Sequence, residues 1–553
     1  MSETDLAPDP TVPKRSIWPL VAVAIVAALA TAGLAYLISN ISDRKAEGGG
    51  ITQYTRVEAI NADTYDPAVW GKTYSAQYDG YLKTKQITPT HHVAEWVPIT
   101  DEERKTKDAG LAPDAEPVRF PDAREANTGD AAKVTPSKLG EDPRLKVLWN
   151  GYAFAKDYRH LRGHEWMLTD QQQTLRVLAL VNRPAEKGGP QPGACANCHA
   201  SIPYIVDQLG DPDANTVGTG LNMDGWAKMN KAAYTDLADN DKLKDMGPIG
   251  CIDCHNPETM ELRISRPALV EGIADLKNAE RVAAGQPVDL TWDVNRNAST
   301  QEMRTYVCAQ CHVEYYFAPP DKTLTFPWDN GSDINDVWTY YAELELPDGS
   351  VGFTDFTHAD TGAGVVKAQH PEFESWSQGV HATNGVACAD CHMPYVVEGG
   401  KKVSNHHIAS PMADPGASCG TCHPGSTAKL ESRVTSIQNT FKDSRNRTMD
   451  AVVSLIVDIG AAKDDPALAD RVALAQQYQN FANFYVDYAY SENSYGFHAP
   501  DYFQRILSQS MNAAREGQRA LLGVDPAKLV PVNELNRDWS VPKVEAPAEE
   551  DEG

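Results

Sequence analysis

Ten cysteines occur in this chain of 553 residues, and every one belongs to a C-x-x-C-H unit. The units are Cys195/Cys198/His199, Cys251/Cys254/His255, Cys308/Cys311/His312, Cys388/Cys391/His392 and Cys419/Cys422/His423. Two thiols on one short turn, with an imidazole directly after them, suit covalent attachment of c-type haem. The sulfurs add to the two vinyl groups of a porphyrin, and the histidine binds the iron from below. Zinc would need C-x-x-C units in pairs to close a tetrahedron; here the number of units is odd and a histidine follows each. A disulfide within the loop is reasonable for one redox pair but not for five. The pattern therefore predicts five covalently bound haems.

Five of the fifteen histidines are thereby used. The others are His91, His92, His160, His164, His358, His370, His381, His406, His407 and His498. An electron-transfer haem needs a second axial ligand, whereas a catalytic haem needs an open position. Four closed haems and one open haem would take four of these ten. Composition alone does not say which.

The elements that must hold these groups follow from composition and periodicity. Only 42% of the chain is hydrophobic, with 39 Gly and 36 Pro. This predicts a loop-rich protein whose porphyrins fill much of its core, in keeping with the apparent lack of long amphipathic patterns in its middle. The expected fold is mainly α, a multihaem c-type cytochrome with little β structure and long C-terminal helices. Residues 1–16 read as a disordered tail. Ile17–Ile38 is an uncharged run long enough to span a bilayer. It is preceded by Lys14 and Arg15, which favours a cytoplasmic N-terminus. The competing reading is a signal peptide cut near Ala30-Thr31-Ala32. Either way the bulk of the chain lies outside the cytoplasm. Residues 39–50 form a linker, 51–427 a pentahaem domain, and 526–553 an acidic disordered tail. Between them, 428–525 carries apolar residues at helical spacing: Leu430, Val434, Ile437 and Phe441, then Val452, Leu455, Ile456 and Ile459. Asp465-Pro466 marks a second helix start and Pro500 a third. Such helices could form a dimer platform or simply cover the haem core. The net charge of −26 argues against nucleic acid as a partner.

Four further stretches carry a resemblance: PRLKVLWNGYAFAKDYRHLRGHEWMLTDQQQTLR (Pro143–Arg176), CAQCHVEYYF (Cys308–Phe317), KAQHPEFESWSQGVHATNGVACADCHMP (Lys367–Pro394) and HAPDYFQRIL (His498–Leu507). In content and order they resemble the pentahaem, ammonia-forming cytochrome c nitrite reductases, over roughly residues 140 to 520. The resemblance implies that Cys195–His199 carries the catalytic haem and that Arg176, Tyr315 and His370 build the pocket above it. It implies distal ligands His164 for the third haem, His381 for the fifth, His406 for the second and His498 for the fourth. His407 adjoins His406, so that assignment could slip by one residue. It also implies a calcium site made by the Glu314 carboxylate, the Tyr315 and Lys367 carbonyls and the Gln369 side-chain oxygen, an oxygen-only set suited to a hard cation. A homodimer, and a multihaem quinol dehydrogenase as membrane-associated electron donor, come with the resemblance.

The residue types agree with nitrite chemistry. The anion needs a fixed positive charge, and its oxygens must be protonated to leave as water. Arg176 could hold the anion, while His370 and Tyr315 could donate protons. An anionic substrate on so acidic a chain predicts a locally positive access channel. Taken singly, each residue has a plainer reading: Arg176 as a propionate partner, Tyr315 as core, His370 as a distal ligand, Glu314 as a surface acid. With His370 as a fifth distal ligand, the chain would be a pure electron-transfer cytochrome. A hydroxylamine or sulfite reductase would share the same pocket. Many family members have lysine where His199 stands, which bears on the tuning of that haem.

Overall fold

The computed structural model describes residue 31 and residues 57–85, 97–98, 133–134, 137–160, 163–172, 174–178, 191–214, 216–217, 220–398 and 400–536. The apolar run Ile17–Ile38, apart from Thr31, lies outside the described residues, as do His91 and His92. Among the described residues no helix is long and apolar enough to cross a membrane. The chain divides into two compact units, Met1–Thr55 with Val397–Lys402, and Arg56–Val396 with Val403–Gly553. All five C-x-x-C-H motifs belong to the second unit.

Helices dominate, and β structure among the described residues is limited to two-stranded pairs of very short strands. In the motif region α1 (Ile202–Leu209) packs on α2 (Met223–Lys231). α3 (Pro267–Ala283) buries Leu269, Ile273 and Leu276. This amphipathic helix corrects the expectation of no long pattern in the middle of the chain; Pro267 starts it and its apolar face is narrow. α4 (Thr300–Ala309) opens with a capping box and ends in the third motif. There Ser299 Oγ accepts from the Glu302 amide at 3.2 Å, and Glu302 Oε2 accepts from the Ser299 amide at 2.9 Å.

Three long helices follow, as the periodicity predicts. α5 (Thr427–Ala462) has 36 residues, about 54 Å of helix. Asp465 caps the turn that leads into α6 (Ala469–Ser491), its Oδ1 accepting from the Ala467 amide at 2.9 Å. α7 (Pro500–Leu521) packs against both. From Phe481 to Ser491, α6 is buried on every side, as expected of a helix at the centre of a core. Phe503 of α7 is fully buried and meets Phe441 of α5 edge-on, ring centroids 5.3 Å apart. Phe503→Ala should cost about 3–5 kcal/mol. Thermal unfolding of the haem-loaded variant, followed in the near-ultraviolet, checks this; an unchanged midpoint would mean that the bundle does not depend on this contact.

Candidate active site

Each motif sits on a tight turn. Short helices cover Ala196–His199, Cys251–Cys254 and Cys388–His392. In C-I-D-C-H and C-A-D-C-H the aspartate closes the turn on itself. Asp253 Oδ2 accepts from the Gly250 amide at 2.9 Å, and Asp390 Oδ2 from the Ala387 amide at 2.8 Å. All ten cysteines are free of disulfides.

The histidines are held by one nitrogen. Nδ1 of His199 donates to the Met167 carbonyl (3.2 Å), that of His255 to Met260 (2.9 Å), that of His392 to Ala409 (3.1 Å) and that of His406 to Ser404 (2.8 Å). A fixed Nδ1–H leaves Nε2 as the ligating atom. Burial lowers His199, His255 and His392 to about 4, so each is the neutral imidazole that binds metal.

Three imidazole pairs share one separation. Ring centroids lie 6.2 Å apart for His255 and His406, 6.2 Å for His381 and His423, and 6.4 Å for His392 and His498. Two rings on opposite faces of one metal, each bonded at ~2 Å, put their centres ~6 Å apart. The residues thus fit a haem iron between each pair. His164 and His312 interact electrostatically. By contrast His358 is committed: its Nε2 donates to the Val147 carbonyl at 2.8 Å and its Nδ1 accepts from the Asp360 amide at 3.3 Å. His160 Nε2 faces Glu141 at 2.8 Å.

The motifs themselves are neighbours. Cys198 meets Cys311, and Cys308 meets Cys388, in side-chain contact. Cys254 acts on both Cys308 and Cys311, and Cys391 on Cys419. The third motif therefore adjoins the first, second and fourth, and the fifth continues from the fourth.

Around the first motif, Arg176 acts electrostatically on Cys195 and His199. Its guanidinium lies over the Phe154 ring, 4.1 Å from the centroid. Tyr315 is affected by Cys198 and Cys195, and burial raises its hydroxyl well above the ordinary tyrosine value. His370 interacts with His199 and His312, and burial lowers it to about 3. Tyr152, which sequence reasoning passed over, belongs to the same group. It bonds to Gln369, interacts with Cys195 and Arg176, and stacks on Phe356 with centroids 4.9 Å apart. It lies within the Pro143–Arg176 stretch, but no spacing marks it.

The oxygens expected to hold a cation also converge. Glu314 Oε2 accepts from the Gln369 amide at 2.6 Å, and the Gln369 side-chain amide donates to the Lys367 carbonyl at 3.1 Å. Glu314 is fully buried. Its other partner is the Tyr341 hydroxyl at 3.0 Å, and the Lys367 ammonium is directed instead to Asp487 at 3.0 Å. Burial, with Glu374 nearby, raises the Glu314 carboxyl well above its usual range. Glu374, also missed, keeps Oε2 buried without a partner. A buried carboxylate without a paired cation, ringed by carbonyl and amide oxygens, is a donor set that fits a hard cation. Among the described residues no group of three His, Cys, Asp or Glu forms a metal cluster, as expected when carbonyls supply most donors.

A cleft of about 620 Å³ is lined by Lys138, Arg144, Lys442 and Arg445, with Glu141, Asp142 and Glu492 among them. Its lining residue Asn493 donates to Glu372, two positions from His370.

The sequence model of the cytochrome c552 family matches residues 66–543. The chain belongs to the cytochrome c552 family. Its C-x-x-C-H turns accordingly carry covalently bound haem c. Cytochrome c-552 of Bacteroides fragilis is 33% identical over 488 residues, covering 88% of this chain and 83% of that one. Cytochrome c-552 of Parabacteroides distasonis is 38% identical over 68% of each chain. Among solved structures, the catalytic subunit of cytochrome c nitrite reductase from Desulfovibrio desulfuricans, described with two calcium sites, superposes with a TM-score of 0.60 at 29% identity. The match covers 88% of this cytochrome c552 and 91% of that chain.

Proposed function

We propose that this chain reduces nitrite to ammonium at the haem of its first motif, with Arg176, Tyr315 and His370 as the catalytic side chains. The overall conversion takes up six electrons and eight protons per nitrite and releases ammonium and two waters. Haem c, when bound, supplies the iron that takes the nitrite nitrogen and relays the electrons. The observation that carries the reading is the convergence of a permanent cation, a phenol and a neutral imidazole on His199 and its cysteines. Arg176 holds the anion and offsets its charge. His370, neutral at physiological pH, hydrogen-bonds a nitrite oxygen and passes protons to it. Tyr315 donates a hydrogen bond or proton later in the sequence, with Tyr152 beside it.

His164, His381, His406 and His498 close the remaining haems. The geometry favours His406 over His407, because the His406 ring stands at the two-ligand distance from His255. Glu314, Tyr315, Lys367 and Gln369 hold calcium, which supplies the positive charge that the buried Glu314 carboxylate lacks and stiffens the loop carrying His370. The enzyme works outside the cytoplasm, anchored through Ile17–Ile38. It is a homodimer and takes electrons from a membrane-associated multihaem donor.

Steady-state rates on nitrite, hydroxylamine and sulfite, with ammonium quantified, test the assignment. Nitrite turnover producing stoichiometric ammonium is expected. A strong chelator should lower that turnover, and added calcium should restore it. Sulfite turnover without nitrite turnover would reassign the substrate, and chelator insensitivity would remove the calcium.

A further inference from the structure

The second variable residues of the first three motifs are Asn197, Asp253 and Gln310, and all three are buried. They meet at one buried arginine, Arg266, which is 1% exposed. Arg266 Nη1 pairs with Asp253 Oδ1 at 2.9 Å. Its Nε donates to the Asn197 carbonyl at 3.0 Å and its Nη2 to the Ala200 carbonyl at 3.3 Å. The Gln310 side-chain oxygen accepts from the Arg266 and Ser265 amides at 3.2 and 2.7 Å. Asn197 Nδ2 in turn donates to the Gln310 carbonyl at 3.3 Å. Asp253 Oδ1 also takes the Ile202 amide at 3.1 Å, and Oδ2 the Gly250 amide at 2.9 Å. One guanidinium thus ties three haem-attachment turns together, within electrostatic reach of Cys198, Cys254 and Cys311.

A buried ion pair is a poor device for stability alone, since apolar packing does the same without desolvating two charges. It is an effective source of local potential, because fixed charges in a low dielectric act strongly over short distances. We propose that the Arg266–Asp253 pair is a redox-positioning element: it fixes the first three attachment turns against one another and sets the reduction potentials of their haems relative to those of the fourth and fifth. The positive end favours the reduced state of the nearby haems and the negative end opposes it. Neither residue touches substrate, and the effect does not depend on which substrate the enzyme reduces.

The test is spectroelectrochemical titration of the full haem-loaded protein at alkaline pH, with the five haems distinguished by electron paramagnetic resonance. R266Q leaves Asp253 uncompensated and should shift the haems of the first three motifs to lower potential by at least a tenfold change in the reduction equilibrium, about 59 mV for one electron. D253N should shift the same haems upward. R266Q/D253N should return them towards wild type, and R266K, which keeps the charge, should leave them near it. The fourth and fifth haems serve as internal controls. Shifts of the same sign in the two single variants, equal shifts in all five haems, or no shift would overturn the proposal. Should R266Q fail to retain five haems, the sign found in D253N decides. None of these readouts uses nitrite, so the result stands apart from the substrate assignment.

Discussion

Arg176→Gln should lower kcat/KM for nitrite by about 10²–10³, the cost of removing one strong donor aimed at developing charge. His370→Asn should lower kcat by about 10²–10⁴, the range lost with a general acid. Both variants should keep five haems. Arg176 stacks on Phe154 at 4.1 Å rather than on a motif turn, and His370 is tied into the fold through its backbone, its amide donating to the Val313 carbonyl at 3.3 Å. Arg176→Lys should recover only part of the loss, because an ammonium retains charge without the planar two-donor face. His370 carries a sharper consequence. Burial lowers it to about 3, so it is neutral through the physiological range and can act only as a neutral hydrogen-bond donor that is reprotonated each turn. Asparagine keeps a donor there but cannot exchange protons; binding should therefore suffer less than kcat. The measurements are steady-state nitrite kinetics and haem counting by the pyridine haemochrome method. Unchanged kinetics in both variants would place the reacting haem elsewhere. A wholly low-spin resonance spectrum of the oxidised wild type would instead favour the electron-transfer reading, with His370 closing the first haem.

Removing the haem of the third motif should be far more damaging than removing that of the fifth. Cys308→Ala/Cys311→Ala should yield no accumulated folded protein. The third motif adjoins the first, second and fourth, and Cys311 approaches the Asn197 carbonyl at 3.7 Å in the same network as Arg266. A porphyrin missing there leaves a void where three turns meet, and interior voids are costly in proportion to their size. Cys419→Ala/Cys422→Ala should yield a folded protein with four haems and nitrite turnover of the same order as wild type. Cys422 and the residues that follow it to Lys429 are exposed, and the fifth motif adjoins the others only through the fourth. Haem content, circular dichroism and ammonium formation in the two variants decide the matter. Equal loss in both would show that the assembly needs all five haems at once.

The chemistry of this protein is written locally. A thioether-linked haem needs two sulfurs and an imidazole on one turn, so five C-x-x-C-H units identify the cofactor without any tertiary information. The C-terminal helices are legible for the same reason: apolar residues recur at helical spacing and Asp465-Pro466 and Pro500 punctuate them. The distal histidines were not legible from spacing. A second axial ligand is defined by standing opposite an iron, and only the resemblance of longer stretches suggested His406 for His255. Tertiary structure alone brought the two rings to 6.2 Å. It likewise revealed Tyr152, Glu374 and the Arg266–Asp253 pair, because a tyrosine, a glutamate or an arginine in an ordinary stretch carries no periodic mark. The Asn197 to Gln310 bond joins residues 113 apart in the chain. Contacts of that kind depend on how the whole chain packs around its haems, whereas the attachment of each haem depends on five consecutive residues.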